Sequence, residues 1–188
     1  MHVLGYGVNP ANAELCRELT RAAADRRARA EEMLARLQAL GVSLPPESRA
    51  ILDIPTAGRA HIARELIKQG AVHTVPQGFD RYLAEGKPAY VPRRQFASAD
   101  AVELLCRAGA APVLAHPLRL NVAESLLPAL IGELRQAGLC GLEAYHPSAT
   151  AAQARQWEAF ARREGLLVTG GSDYHGDADT RVSLARMP

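Results

Sequence analysis

The sequence has little cysteine. Cys16, Cys106 and Cys140 are three in 188 residues, widely spaced and odd in number. No C-x-x-C pair occurs, which argues against a disulfide framework and a structural zinc knot and favours a reduced, cytoplasmic protein. It also lacks long apolar runs; none approaches the roughly 18 residues of a membrane span. The opening residues MHVLGYGVNP have no basic segment leading into an apolar stretch, so no signal peptide is expected. Charge of one sign is lacking too. Charged residues are 22% of the chain, mixed, with a formal net charge of +2, which excludes a nucleic-acid-coating or disordered composition. There are no internal repeats and no low-complexity segments. Apolar residues at 48% are enough for a real core.

The apolar spacing predicts an ordered series of elements. His2 to Val8 reads as a short buried strand ended by Asn9-Pro10. From Ala11 to Leu40 the period is helical, with a stripe of Leu15, Leu19, Ala22, Ala30, Met33, Leu37 and Leu40 interrupted near Arg26. Gly41 and Pro45-Pro46 stop it. Further helices are predicted over 58–70 and 77–84, followed by a turn at Gly86-Lys87-Pro88. Beyond residue 97, helices and strands alternate. Helices are predicted over 99–108 (capped by Ser98), 125–137 and 150–164, the last with Trp157 and Phe160 facing the core. Strands are predicted over 111–115, 141–145 and 166–169. This rhythm predicts an α/β layout with parallel strands.

Three of these strands end in chemistry. One runs into His116-Pro117, one into His146-Pro147, and one into Gly170-Gly171-Ser172-Asp173-Tyr174-His175. The carboxyl ends of strands in parallel α/β folds carry the site. Asp173 and His175 are two apart, so in extended chain they point the same way. Carboxylate and imidazole donors without thiolate suit Mn²⁺, Fe²⁺ or Zn²⁺. Taken singly, a strand-end His before Pro is more often a turn residue, and Asp173 with His175 could be a helix cap beside a surface histidine. Their expected convergence on one edge favours a metal site. His73 reads as an ordinary loop histidine. The Arg26–Arg36 stretch reads as a solvated helix face because glutamates are interspersed.

These motifs resemble those of the PHP (polymerase and histidinol phosphatase) family of metal-dependent phosphoesterases. Gly170 to His175 resembles its last metal motif, Ala115-His116-Pro117 an earlier one, and His2-Val3-Leu4-Gly5 a strand bearing a metal-binding His. The segment Gly58-Arg59-Ala60-His61-Ile62-Ala63-Arg64-Glu65-Leu66 is followed by Gly70, Phe79, Tyr82-Leu83 and Gly86-Lys87-Pro88-Ala89-Tyr90-Val91. It resembles the helical insertion of the branch containing nucleoside 3',5'-bisphosphate phosphatases and the RNase AM exoribonucleases. The resemblance covers nearly the whole chain. It implies the C-terminal part of a distorted (β/α)7 barrel: a barrel strand at 1–10, an inserted substrate-binding helical domain at 11–96, and barrel again at 97–188. It implies that His2 and His116 share one metal ion, Asp173 binds a second and His175 a third, with Mn²⁺ the expected ion. Arg59, His61 and Arg119 would hold substrate phosphates, a task that suits the planar guanidinium fork. The implied activity is hydrolysis of phosphate esters of nucleotides or short RNA by metal-activated water.

The family's His-x-His strand, early Asp, Thr-Asp-His loop and strand ending in a bridging Glu are not in this sequence. The expectation is therefore that the chain is part of a longer protein. A short protein that has lost catalysis, or a site completed by a partner chain, are the alternatives. An open barrel would expose a sheet edge and favour self-association. His146 is left unassigned, with a structural role favoured. Two other functions compete: a non-catalytic module binding phosphorylated ligands through Arg59 and His61, and RNA binding by the Arg26–Arg36 helix, which the near-neutral net charge disfavours. No membrane association and no stable DNA binding are expected.

Overall fold

The structure is a computed structural model describing residues 1–42, 44–54, 57–93, 96–120 and 122–174, and the chain divides into two compact units. One unit comprises 1–15 with 96–188, the other 16–95. His175 lies outside the described residues.

The first unit is mixed α/β. Its strands β1 (Val3–Tyr6), β2 (Ala111–Leu114), β3 (Gly141–Tyr145) and β4 (Leu167–Gly170) form one sheet in the order β1-β2-β3-β4. The β2–β3 and β3–β4 pairs are parallel, as the alternating rhythm predicts. The β1–β2 pair is antiparallel, with Val3 opposite Leu114, a direction that the apolar spacing left open. The connection from β1 to β2 runs through residues 7–110 rather than a single crossover helix, so the handedness that goes with parallel pairing does not constrain it. β1 is not the buried strand expected. It alternates half-buried and exposed residues, with Leu4 and Tyr6 turned to solvent.

Helices α4 (Ser98–Arg107), α5 (Leu127–Gln136) and α6 (Ala151–Arg163) complete this unit. Val102, Leu114, Leu127, Ile131, Leu142 and Trp157 form its core, each fully buried aliphatic side chain contributing about 1.5–3 kcal/mol. α6 begins at a capping box. Thr150 accepts from the Gln153 backbone N–H, and the Gln153 side chain accepts from the Thr150 N–H. Ser98 is the first helical residue of α4 rather than its cap; that place is taken by Ala97, without a side-chain bond. At Gly141 the sheet is tight. An added Cβ would meet the Leu167 Cβ and backbone O and the Val113 Cγ2, all at 3.0 Å.

Helix α1 (Ala13–Ala39) carries the long stripe. Leu15 packs in a cluster with Leu104 and Ala108, whereas Ala30, Met33 and Leu37 are buried in the second unit's core. Leu19 and Leu40, expected in the stripe, are exposed. The second unit continues through a 3₁₀ segment, Pro46–Asp53, which the periodicity did not reveal. Then come α2 (Arg59–Lys68), α3 (Val75–Gly78) and a π-helical turn, Phe79–Leu83. The helix predicted over 77–84 is therefore two pieces. The Ala84 N–H bonds the Phe79 carbonyl one residue further back than an α-helix would. Ile62, Ala63, Leu66 and Leu83 are fully buried here. Among the described residues, no helix is long and apolar enough to cross a membrane.

Candidate metal centre

The antiparallel β1 is what brings His2 to the site. Its N-terminal end lies beside the C-terminal end of β2, where the Ala115 N–H bonds the His2 carbonyl at 3.1 Å. His116 follows β2, His146 follows β3, and Asp173 stands three residues beyond β4. The histidines cluster: ring centroids are 5.1 Å apart for His2 and His116, and 5.3 Å for His116 and His146. Asp173 joins them through an Oδ2 that is 3.8 Å from His146 Nε2. His2, His116 and Asp173, singled out by sequence, are thus on one sheet edge.

His2 Nδ1 and His116 Nε2 are 3.2 Å apart. Two imidazole nitrogens on one ion, each at about 2.1 Å, lie about 3.0–3.4 Å apart for right-angle to tetrahedral arrangements. In the structure this contact is a hydrogen bond between the two rings, and its length is also compatible with two ligands to one metal. His116 is 9% exposed, and its Nδ1 is buried with no hydrogen-bond partner, as is the Nε2 of His146. Neither of these orphans is the His116 Nε2 that faces His2. No group of three or more His, Cys, Asp and Glu with metal-holding geometry occurs among the described residues. The described residues thus fit part of a metal site: two nitrogens in place, and a carboxylate engaged elsewhere.

That engagement is with Arg119. Its guanidinium donates to Asp173 Oδ2 at 2.6 Å. The resemblance gives these residues separate tasks, phosphate and metal. In the structure they neutralise each other. Both His116 (φ 30°) and Asp173 (φ 52°) have left-handed backbone, a conformation costly for residues other than Gly and one that clusters at functional sites.

His146 is 4% exposed. Its Nδ1 accepts from the Ser148 backbone N–H at 3.0 Å, which in the neutral ring leaves the proton on Nε2, the nitrogen nearest Asp173. Burial lowers its pKa, with Glu143 and Asp173 opposing and His116 and Arg119 reinforcing. In that tautomer the Nε2–H faces the Asp173 side but, at 3.8 Å from Oδ2, makes no hydrogen bond with it. Sequence reasoning also passed over Glu143, a carboxylate 5% exposed in the middle of β3. Its Oε2 accepts the His116 backbone N–H at 2.8 Å. The legible signal was a charge at an interior position of an otherwise apolar strand.

Arg59 and His61 belong to the other unit. Arg59 opens α2 after an extended Gly58. Its guanidinium lies 5.3 Å from the Phe79 ring centroid and 5.7 Å from that of Tyr90. Burial, then Arg59 and then Arg93, lower the Arg29 pKa, with Tyr90 opposing. Among the described residues, none of these three arginines forms an ion pair. His61 Nδ1 is buried without a partner. By contrast, Arg27 pairs with Glu31 and Asp53, and Arg36 with Glu32, so much of the Arg26–Arg36 face is internally compensated.

No family model matches the chain. Individual proteins do. The chain is 32% identical over 181 residues to the 3',5'-nucleoside bisphosphate phosphatase of Chromobacterium violaceum, covering 95% of this chain and 64% of that protein. It is 26% identical over 178 residues to the 5'-3' exoribonuclease Rnm of Escherichia coli, covering 93% of this chain and 60% of that protein. Among solved structures, an amidohydrolase from Chromobacterium violaceum, with sulfate bound and no metal, superposes with a TM-score of 0.80 at 31% identity. That match covers 100% of this chain and 66% of the other. A candidate metal-dependent phosphoesterase from Bifidobacterium adolescentis superposes with a TM-score of 0.74 at 26% identity, covering 98% and 65%. The chain thus spans a little under two thirds of the length of the curated relatives it matches. With near-complete coverage on its own side by sequence and by fold, the chain is similar to these phosphoesterases, in keeping with the resemblance its motifs carry to the PHP family.

Proposed function

We propose that the chain is part of a metal-dependent phosphoesterase that hydrolyses phosphate esters of nucleotides or short oligonucleotides. The observation that carries this reading is the gathering of His2, His116, His146 and Asp173 at one sheet edge, with two imidazole nitrogens at the spacing of a shared ion. The relatives' names, a nucleoside bisphosphate phosphatase and an exoribonuclease, support the substrate class. In this reading the four strands belong to a distorted seven-unit barrel, and 11–96 is the inserted substrate-binding domain.

His2, His116 and Asp173 would hold divalent ions, with Mn²⁺ the expected metal and His175 a further ligand. A bound ion supplies charge that neutralises phosphoryl oxygens and acidifies a water at neutral pH. The protein's own residues do the rest. Arg119, freed from Asp173 when that carboxylate engages a cation, presents its fork to a phosphate. His146, its Nδ1 engaged by the Ser148 N–H, stands beside the Asp173 carboxylate with Nε2 3.8 Å from Oδ2. Arg59 and His61 bind a phosphate on the helical unit, where Arg29, Arg59 and Arg93 have no carboxylate partner among the described residues.

The test is phosphate release from a nucleoside 3',5'-bisphosphate with added Mn²⁺. Metal-dependent release that falls at least about 100-fold in His116→Ala and Asp173→Asn supports the reading. Release that survives chelation, or is unchanged in both variants, refutes it. The arginines that have no carboxylate partner among the described residues favour one second reading, a phosphate-binding module. Its signature is ligand-dependent thermal stabilisation, lost in Arg59→Ala, without turnover.

A further inference from the structure

Glu143 is a buried carboxylate with an unusual position. It is 5% exposed, and no Lys or Arg pairs with it among the described residues. Burying a carboxylate costs several kcal/mol unless hydrogen bonds or a cation compensate. One compensation is visible: Oε2 accepts the His116 backbone N–H at 2.8 Å, a buried charge-assisted bond. That bond reaches a residue with left-handed backbone (φ 30°, ψ 64°), which a β-carbon makes costly. Without an external restraint, His116 would relax toward an ordinary conformation and carry its imidazole away from His2.

The second oxygen has a different neighbour. Oε1 lies against Gly171, where an added Cβ would stand closer to it than real Cβ contacts come. Gly171 is fixed in turn, its N–H bonding the Tyr145 carbonyl at 3.0 Å beside an irregularity in β3–β4 pairing between Glu143 and Tyr145. Two residues later comes Asp173. One carboxylate therefore touches both chain segments that deliver proposed ligands, the β2 end with His116 and the β4 end with Asp173.

We propose that Glu143 is a positioning residue of the metal centre. It holds the His116 backbone so that the imidazole meets His2, its Oε1 packs where a Cβ at 171 would stand, and it supplies buried negative charge behind the cation. Groups behind metal ligands typically change affinity by about 10–100-fold when removed. The inference rests on the proposed metal reading.

The experiment measures Mn²⁺ affinity of the full chain by the electron paramagnetic resonance of free Mn²⁺. His116 amide hydrogen exchange and thermal midpoint are measured alongside in metal-free protein. Wild type is compared with His116→Ala, Glu143→Gln, Glu143→Ala and Gly171→Ala. Glu143→Gln keeps an acceptor and loses the charge. It should retain His116 amide protection within about tenfold while weakening Mn²⁺ binding about 10-fold. Glu143→Ala and Gly171→Ala should lose the protection and weaken binding further, toward about 100-fold. If His116→Ala weakens Mn²⁺ but Glu143→Gln does not, the positioning role is overturned while the metal reading stands. A lowered thermal midpoint in Glu143→Gln with unchanged Mn²⁺ affinity marks a purely structural carboxylate and also overturns it. If His116→Ala itself leaves Mn²⁺ binding unchanged, both are overturned.

Discussion

Replacing Arg119 with alanine should move two affinities in opposite directions. Arg119 donates to Asp173 Oδ2 at 2.6 Å, so a cation binding Asp173 must first compete with the guanidinium. Two unit charges about 4 Å apart attract by about 1 kcal/mol in water and about 4 kcal/mol at an effective dielectric of 20. The side chains are 51% and 24% exposed, which places the pair toward the solvated limit, about 0.2–1 kcal/mol. Removing the competitor should therefore tighten Mn²⁺ binding by about 1.4–5-fold, at about 1.4 kcal/mol per tenfold. Binding of inorganic phosphate should weaken, because the fork that would receive it is gone. Calorimetric titration of metal-free protein with Mn²⁺, and separately with phosphate, reads both. Raising the salt to about 1 M shortens the screening length to about 3 Å and should shrink the Mn²⁺ difference. Weaker Mn²⁺ binding in Arg119→Ala would refute the competition, and so would a gain that ignores salt.

Two further outcomes follow from packing and charge. Trp157→Ala empties a 4%-exposed site between α6 and the sheet, and should cost about 3–5 kcal/mol in denaturant unfolding of the first unit. In the second unit, hydrogen bonds from Lys68 and then Ser48 hold the Glu65 carboxyl below its usual range, against burial. A depressed folded pKa means stability fully present above about pH 4.5 and lost as pH falls through the folded value. The stability gap between wild type and Glu65→Gln should therefore narrow on acidification below that point, as followed by thermal midpoints across pH.

Much of this site was legible because strand ends in α/β sheets are where side chains leave the core, and His116, His146 and Asp173 each follow an apolar run. The parallel pairing of β2, β3 and β4 was legible for the same reason, since a helix separates each strand from the next. The direction of β1 was not. Nothing local distinguishes a parallel from an antiparallel edge strand of four residues, yet that direction sets His2 beside His116. Glu143 was missed because its role is a contact with a backbone N–H 27 residues away, which no spacing rule encodes. The π-helical turn under Arg59 was missed because its sequence reads as an ordinary helix, and the Arg119–Asp173 pair because the two residues lie 54 apart.

The claim on which the account depends is that one sheet edge binds a divalent cation. Paramagnetic broadening of amide resonances in the ¹⁵N-labelled full chain, at sub-stoichiometric Mn²⁺, reads the location directly. The account predicts that signals of His2, His116, His146 and Asp173 broaden first and that His116→Ala protects them. Broadening spread evenly over acidic surface residues, or centred away from the ends of β2, β3 and β4, would contradict it.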